Sequence, residues 1–404
     1  MKKVIFHVDV NSAFLSWEAC YRIHHLGGKQ DLRQLVSAVG GDQEKRHGII
    51  LAKSIPAKKY HIQTGETVVS AKEKCPDLVL VPPNYDLYNR SSKALIKLLS
   101  EYTDKIEQYS IDEAFLDMTG CCQDPITTAY EIKNRVHAEL GFTVNIGVSE
   151  NKLLAKMASD FAKPDKIHTL YINEIKQKMW PLSVSELFML GRRTVPKLQN
   201  MQIRTIGDLA KTDKELLSKK FGKHGIMMWE YANGIDSSVV EPNPAQAKGI
   251  GNSTTMPTDA LSIEDMKPVL LKLCESVCAR LRKAHMYAGT ITVEIKYSNF
   301  HSCSHQIALP SPDYSSTVIY ETSLSLLQEL WNGTPVRLLG VRATRLTDET
   351  APIQLDLFSY QEHTGQTEKN RKLDKTIDAI RRKYGEGAIM RGSLLSHTDT
   401  HSSN

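Results

Sequence analysis

Three carboxylates stand where a folded chain ordinarily avoids them. Asp9 closes the apolar run Val4-Ile5-Phe6-His7-Val8, and Asp112 and Glu113 interrupt the run from Ser110 to Asp117. A carboxylate inside a buried strand is costly unless a cation or hydrogen-bond donors meet it. A hard divalent ion such as Mg²⁺ takes oxygen ligands, usually one or two carboxylates plus substrate phosphates. Two such ions about 4 Å apart can activate an attacking oxygen and stabilise a leaving one in phosphoryl transfer. The pleat raises an objection. Successive strand residues point to opposite faces, so Asp112 and Glu113 converge only if the chain bends there. Salt-bridged carboxylates at a strand edge are the other reading of the same residues, weighed against the tendency of buried ionisable groups to mark sites.

The elements that must position these groups follow from pattern. Residues 3–10 are β-branched and aromatic-rich and predict a buried strand ending near Asp9. A helix is expected over 12–25, a turn at Gly40-Gly41-Asp42, and a short strand over 48–52. A helix over 85–106 carries Leu87, Leu95, Leu98 and Leu99. Next come a strand over 110–117, a helix near 125–140 and a strand over 143–149. A helix over 150–162 puts Leu153, Leu154, Met157, Ala158 and Phe161 on one face. Lys163-Pro164 ends it, because the residue before proline avoids the helical region. This alternation implies an α+β unit with a mixed or antiparallel sheet.

Residues 171–240 read as short helices joined by glycine-containing turns. Residues 241–257, rich in Pro, Gly and polar types, read as an interdomain linker. Residues 258–348 return to α+β, with helices at 263–285 and 315–331 and strands at 290–297 and 336–346. The polar tail after 349 is expected to be disordered, although 369–384 could form a basic helix.

The composition bounds the partners. A chain of 404 residues suggests two to four domains at about 150 residues each. The balance of 51 basic and 46 acidic residues gives +5, which neither requires nor excludes a polyanion. Residues 171–240 hold 11 Lys/Arg against 7 Asp/Glu, so 11 − 7 = +4 of that charge falls in one helical segment. No apolar run reaches the roughly 18 residues of a membrane span, and the first residues do not form a signal peptide. Seven cysteines without a C-x-x-C pair argue against zinc and disulfides and fit a reducing cytoplasm.

The motifs together carry a resemblance. Asp9-Val10-Asn11-Ser12-Ala13-Phe14, then Tyr109-Ser110-Ile111-Asp112-Glu113-Ala114-Phe115-Leu116-Asp117, resemble the two catalytic motifs of the Y-family DNA polymerases. Gly147-Val148-Ser149, Asn151-Lys152, Ala155-Lys156, Ala158-Ser159-Asp160 and Ala162-Lys163-Pro164 resemble their third motif. The resemblance spans residues 3–348 and is similar to the bacterial polymerase IV-like branch. It implies an α+β multidomain, right-hand polymerase fold. The ferredoxin-like palm would take 1–19 and 79–170, and small fingers 20–78. An all-α helix-hairpin-helix thumb would take 171–240. An α+β little finger would take 258–348, followed by a tail over 349–404.

The resemblance also implies roles. Asp9, Asp112, Glu113 and the Val10 carbonyl would hold two Mg²⁺ ions, with Asp9, Asp112 and Glu113 as the catalytic residues. A primer 3′-hydroxyl would attack the α-phosphate of an incoming dNTP and release pyrophosphate. In the family the Asp-Glu pair sits at a tight bend, which answers the pleat objection. Phe14 matches a steric gate that excludes a ribose 2′-hydroxyl. Without the resemblance it reads as a core ring. Lys163 and Lys58 match triphosphate contacts, with Lys58 replacing a usual Arg and lacking its bidentate fork. Ile55 stands where a triphosphate-binding tyrosine is common, Ser12 and Ala13 replace bulkier residues, and Asn11 replaces a frequent Asp.

Further motifs imply DNA and protein partners. Leu190-Gly191-Arg192-Arg193-Thr194-Val195-Pro196-Lys197 resembles a helix-hairpin-helix, with Met189 where a hairpin glycine is usual. Phe221-Gly222-Lys223-His224-Gly225 resembles a second hairpin. Their backbone N–H groups would grip primer–template DNA through phosphates, without reading sequence. An ordinary bundle with basic faces is the alternative for this segment. Lys296, Arg337, Arg342 and Arg345 are phosphate candidates in the little finger. Gln354-Leu355-Asp356-Leu357-Phe358 looks like a sliding-clamp binding motif through Gln354, Leu355, Leu357 and Phe358. The expectation is a monomeric, cytoplasmic, error-prone lesion-bypass polymerase without proofreading. Its rivals are a non-catalytic clamp-and-DNA adaptor and another palm-like nucleotidyl transfer enzyme such as a cyclase.

Overall fold

The computed structural model describes residues 2–41, 48–243, 246–348 and 360–392. Two compact units divide near residue 244. In the first, β1 (Ile5–Val10) leads into α1 (Ala13–His25), β2 (Ser37–Gly40), β3 (Ile50–Lys53), α2 (Ile55–Lys58), α3 (Val68–Lys74), β4 (Val79–Val81) and α4 (Tyr85–Leu99). Then follow β5 (Ile106–Gln108), β6 (Glu113–Asp117), α5 (Pro125–Arg135), β7 (Val144–Ser149), α6 (Lys152–Ser159) and β8 (Ile167–Thr169). A π turn over Val136–Leu140 extends α5.

The main sheet has the order β5-β6-β1-β7-β8. The series β1, α4, β5, β6, α5, β7 in that order is the ferredoxin-like split β-α-β arrangement. β8 joins β7 in parallel; the other pairs of this sheet are antiparallel. All six residues of β1 are buried because it is central. Phe6, Val8 and Val10 face one core with Trp17, Tyr88, Leu95, Leu99 and Ile132. Ile5 faces the other side with Phe115 and Ala155. By the strand period, His7 and Asp9 share that second side.

α6 covers this second side, and Gly147 sets how closely. A Cβ on Gly147 would lie 1.9 Å from the Ala155 carbonyl oxygen and 2.6 Å from the Ser159 nitrogen. Only a residue without a side chain lets the helix backbone lie against β7 here. The outer residues of α6, Leu153, Leu154, Met157 and Ala158, share a core with the following helical segment. That segment holds α7 (Ile175–Lys178), α8 (Val195–Gln199), α9 (Ile206–Lys211), α10 (Lys214–Phe221) and α11 (Lys223–Ala232). A second, three-stranded sheet has the order β3-β2-β4.

The second unit holds β9 (Gly249–Ala260), α12 (Ile263–Lys283), β10 (Met286–Tyr297), β11 (Ser302–Asp313), α13 (Ser316–Leu330), β12 (Val336–Asp348) and α14 (Tyr360–Tyr384). Its antiparallel sheet has the order β11-β10-β12-β9. Ile291, Val293, Ile295, Leu339, Val341 and Ala343 pack one face against Leu270, Val277 and Leu327.

Several expectations are corrected. Residues 249–257 are part of β9 rather than linker; an edge strand tolerates its glycines and Pro257. Gly40 is the last residue of β2, and Asp42 of the expected turn lies outside the described residues. The helix expected to 106 stops at Leu99, and β5 follows. The described part of the tail is not disordered. α14 docks through charge: Asp374, only 3 % exposed, accepts the Ser316 N–H at 2.8 Å and pairs with Arg282 at 3.3 Å. Arg282 reaches both Asp378 oxygens at 2.5 and 2.9 Å. The Arg371 guanidinium lies over the stacked rings of Tyr287 and Tyr314, at 5.3 and 5.4 Å. Removing one partner of a buried pair strands the other, at about 3 kcal/mol. Asp374→Ala is therefore expected to lower the urea midpoint of the C-terminal unit in the full chain; an unchanged midpoint would contradict this docking.

Among the described residues, no helix is long and apolar enough to cross a membrane. All seven cysteines are free thiols.

Candidate active site

The bend before β6 is built by one hydroxyl. Ser110 Oγ accepts the N–H groups of Asp112 and Glu113 at 3.2 and 3.1 Å and donates to Asp112 Oδ1 at 2.6 Å. The N–H groups of Tyr109 and Ser110 both reach the Glu113 carbonyl. Asp112 therefore lies outside the strand and Glu113 begins it, so the pleat no longer separates them. Glu113 pairs with Asp9 in the β1–β6 register, and the Val10 N–H donates to the Asp112 carbonyl at 3.0 Å.

Cations from and beyond α6 meet two of these carboxylates. Lys163 Nζ lies 2.5 Å from Asp9 Oδ2 and 2.8 Å from Asp160 Oδ1. Lys156 Nζ lies 2.9 Å from Glu113 Oε1, 3.3 Å from Asp160 and 3.8 Å from Asp9. His7 Nδ1 bonds Ser159 Oγ at 2.8 Å, while its Nε2 stands 3.6 Å from Glu113 Oε2. That distance is too long for a hydrogen bond and leaves an electrostatic contact. Burial pushes the Glu113 carboxyl up, but His7 and Lys156 together outweigh it and hold it at about 2. At Asp9, only 6 % exposed, burial outweighs Lys163 and raises the carboxyl. Burial also lowers the His7 imidazole.

Asn11 ties the sheet to the segment carrying Lys163. Its Nδ2 donates to Asn145 Oδ1 at 3.1 Å, and its Oδ1 accepts from Thr143 Oγ and the Asp165 N–H. An ionised Asp in this place has no donor for Asn145, which gives the Asn11 departure a physical role.

Phe14 sits in the first turn of α1, reached through Ser12 in the left-handed region at φ 48°. Its ring stacks on Tyr88, with centroids 4.4 Å apart and an 8° interplanar angle, and meets Tyr85 edge-on at 6.3 Å. Tyr88 is fixed by donating its hydroxyl to Glu18 Oε1 at 3.1 Å.

Asp9, Val10, Phe14, Lys58, Asp112, Glu113 and Lys163 line one cavity of about 520 Å³. Ile55 and Lys53 are on its wall as well. Among the described residues no three His, Cys, Asp or Glu side chains form a metal cage by themselves. The donor set of three carboxylates and the Val10 carbonyl is nevertheless all oxygen and fits a hard divalent ion. The lysine ammonium groups against Asp9 and Glu113 mark where positive charge is favoured.

The remaining sequence-named residues are not among those that line this cavity. Gly191 and Arg192 lie in an open turn before α8, where the Thr194 N–H returns to the Gly191 carbonyl. Met189 takes the left-handed conformation, at φ 69°, where a hairpin glycine was expected. Gly222 joins α10 to α11 at φ 63°, and Lys223 opens α11. A Cβ on Gly225 would lie 2.1 Å from the Leu217 carbonyl oxygen, so these two helices touch. Arg337 lies over the Phe300 ring at 5.0 Å, and exposed Arg342 lies on β12. Gln354, Leu355, Leu357 and Phe358 lie outside the described residues.

Sequence reasoning did not assign roles to Ser110, Lys156, His7 or Tyr88. The spacing of Lys152, Lys156 and Ser159 (steps of four and three) was a signal that one face of this helix turns polar groups toward the sheet, with Lys163 following beyond the helix end.

Comparison with known proteins decides the family. Residues 8–160 match the impB/mucB/samB family, and 247–357 match its C-terminal domain. Residues 187–236 match the thumb domain described for DNA polymerase-iota. The chain is 47% identical over 397 residues to the DNA polymerase IV of Clostridium acetobutylicum, covering 98% of this chain and 99% of the relative. It is 35% identical to DNA polymerase IV 1 of Bacillus subtilis, covering 98% and 94%. The chain belongs to the Y-family DNA polymerases. A Y-family DNA polymerase chimera of Dbh and Dpo4 has the same fold, with TM-score 0.75 and 23% identity over 85% of this chain and 99% of the other. The polymerase thus has the palm, fingers, thumb and little-finger-like arrangement, and the ferredoxin-like sheet is its palm.

Proposed function

We propose that this Y-family chain extends a primer 3′-hydroxyl on a DNA template by two-metal nucleotidyl transfer from dNTPs, releasing pyrophosphate, in error-prone lesion bypass without proofreading. The observation that carries this reading is that Asp9, Asp112, Glu113, Phe14, Lys58 and Lys163 line one cavity. Asp9, Asp112, Glu113 and the Val10 carbonyl would hold two Mg²⁺ ions, whose chemistry is to activate the 3′-hydroxyl and neutralise charge on the departing pyrophosphate. Ser110 holds Asp112 at the mouth of the bend. Lys163 exchanges its bond to Asp9 for a phosphate oxygen, and Lys58 meets the same phosphates. Phe14, backed by the Tyr88 ring, closes the space beside C2′ of the sugar.

The domain boundaries 1–19 with 79–170, 20–78, 171–240 and 258–348 are part of this proposal, with β9 joined to the last. Gly191, Arg192, Gly222, Lys223 and Gly225 would grip the DNA backbone. Exposed Arg192 and Lys223 support this, because neither has an ion-pair partner among the described residues. Arg337 and Arg342 would add phosphate contacts, and residues 354–358 would bind a sliding clamp. The chain would act in the cytoplasm as a monomer.

The gate has its own test. Phe14→Ala is expected to raise ribonucleotide over deoxynucleotide insertion by about 100-fold. Single-nucleotide insertion with matched ribo and deoxy substrates reads it, and an unchanged ratio removes Phe14 as the gate. For the whole reading, purified protein with Mg²⁺, a primed template and dNTPs should give extension products.

A further inference from the structure

We propose that Lys53 is a further phosphate-binding residue of the nucleotide cavity, acting beside Lys58. The proposal rests on the reading of that cavity as the dNTP site.

Four cations line the cavity: Arg33, Lys53, Lys58 and Lys163. Two of them are already engaged. Arg33 holds Asp31 at 2.9 Å and the Gly141 carbonyl at 2.8 Å. Lys163 holds Asp9 and Asp160. Lys53 and Lys58 have no ion pair or hydrogen-bond partner for their ammonium groups among the described residues.

The backbone fixes where these two lysines project. Lys53 ends β3 and pairs with buried Ala38 of β2, so its Cα cannot drift. Ser54 then turns the chain into α2 by accepting the Ala57 N–H at 3.1 Å, and Lys58 ends that helix. The two ammonium groups therefore flank one tight turn on one cavity wall. Between them Ile55, 49 % exposed, offers no hydrogen-bonding group.

Lys53 and Lys58 are neighbouring like charges on this cavity, with no carboxylate in an ion pair with either among the described residues, and an anion between them relieves their repulsion. Burial and the neighbouring Lys58 lower the Lys53 pKa and outweigh the opposing pull of Glu66, which is itself paired with Lys74. A triphosphate is the anion that the reaction brings to the cavity. A charge-assisted bond from Lys53 to a phosphate oxygen supplies part of the hold that the aliphatic Ile55 cannot give.

The test uses the full chain and compares wild type, Lys53→Gln, Lys53→Arg and Lys58→Gln in single-nucleotide insertion, with inorganic tripolyphosphate as a competitive inhibitor. Lys53→Gln should raise the KM for dNTP about tenfold, with kcat falling much less, and raise the tripolyphosphate Ki in parallel. Lys53→Arg should restore both. An unchanged KM overturns the proposal. So does a raised KM with an unchanged tripolyphosphate Ki, which would place Lys53 against the base or sugar. Wild type that binds neither ligand and inserts nothing overturns the nucleotide-site reading itself, and the role of Lys53 with it.

Discussion

Asp9→Asn should lower kcat by about a thousandfold and leave the thermal midpoint of the first unit unchanged or higher. The two halves of this result have different causes. Loss of one carboxylate from a metal-holding set removes several kcal/mol of transition-state stabilisation, and about 4 kcal/mol is a factor near a thousand. Stability moves the other way because burial raises the Asp9 carboxyl despite Lys163. A carboxyl whose pKa rises on folding makes its ionised form a cost to the fold at neutral pH. The amide keeps the shape, is neutral, and leaves Lys163 with Asp160. Steady-state insertion kinetics and calorimetry together read the outcome. Retained activity would remove Asp9 from the catalytic set. A large fall in midpoint would show that the Asp9–Lys163 pair serves the fold.

Gly147→Val should disable the enzyme from a position that touches no substrate. The first added carbon would overlap the Ala155 carbonyl oxygen at 1.9 Å, and that atom belongs to a helix backbone that cannot rotate away. α6 must lift from β7. It carries Lys156 and Ser159, which meet Glu113 and His7, and it leads to Lys163 beside Asp9. Overpacking ordinarily costs about 1–3 kcal/mol, and a backbone collision falls at or above the upper end. Loss of soluble protein, or a fall of several degrees in midpoint with primer extension reduced by about 100-fold, is the expected result. A variant with wild-type stability and activity would show that α6 does not set the geometry of the site.

What the sequence revealed, and what it hid, follows from how each element is stabilised. β1 was legible because six consecutive buried residues are apolar except where His7 and Asp9 face α6. The acids were legible because a carboxylate in such a run demands a partner. β4, β5 and β8 have only three residues each, too few to display a period of two. β9 was hidden by its glycines and proline, which an edge position permits. α14 was legible only in its basic run, 369–384, and its docking was hidden for the opposite reason to a core helix. Its described contacts with the second unit are made largely by Asp374, Asp378, Arg371 and Arg381 with charged or aromatic partners, while Leu373 stays exposed. A helix held by ion pairs has the composition of an unfolded tail. The bend that frees Asp112 from the pleat depends on the Ser110 hydroxyl, and no periodicity marks a single hydroxyl.

The most direct measurement of the central claim is primer extension with Mg²⁺ by wild type and by the Asp112→Ala/Glu113→Ala double variant, compared at equal occupancy of primed DNA. Wild type should extend the primer and the variant should give no detectable product, with DNA binding intact in both. Equal extension by the two proteins, or extension by neither, would contradict that claim.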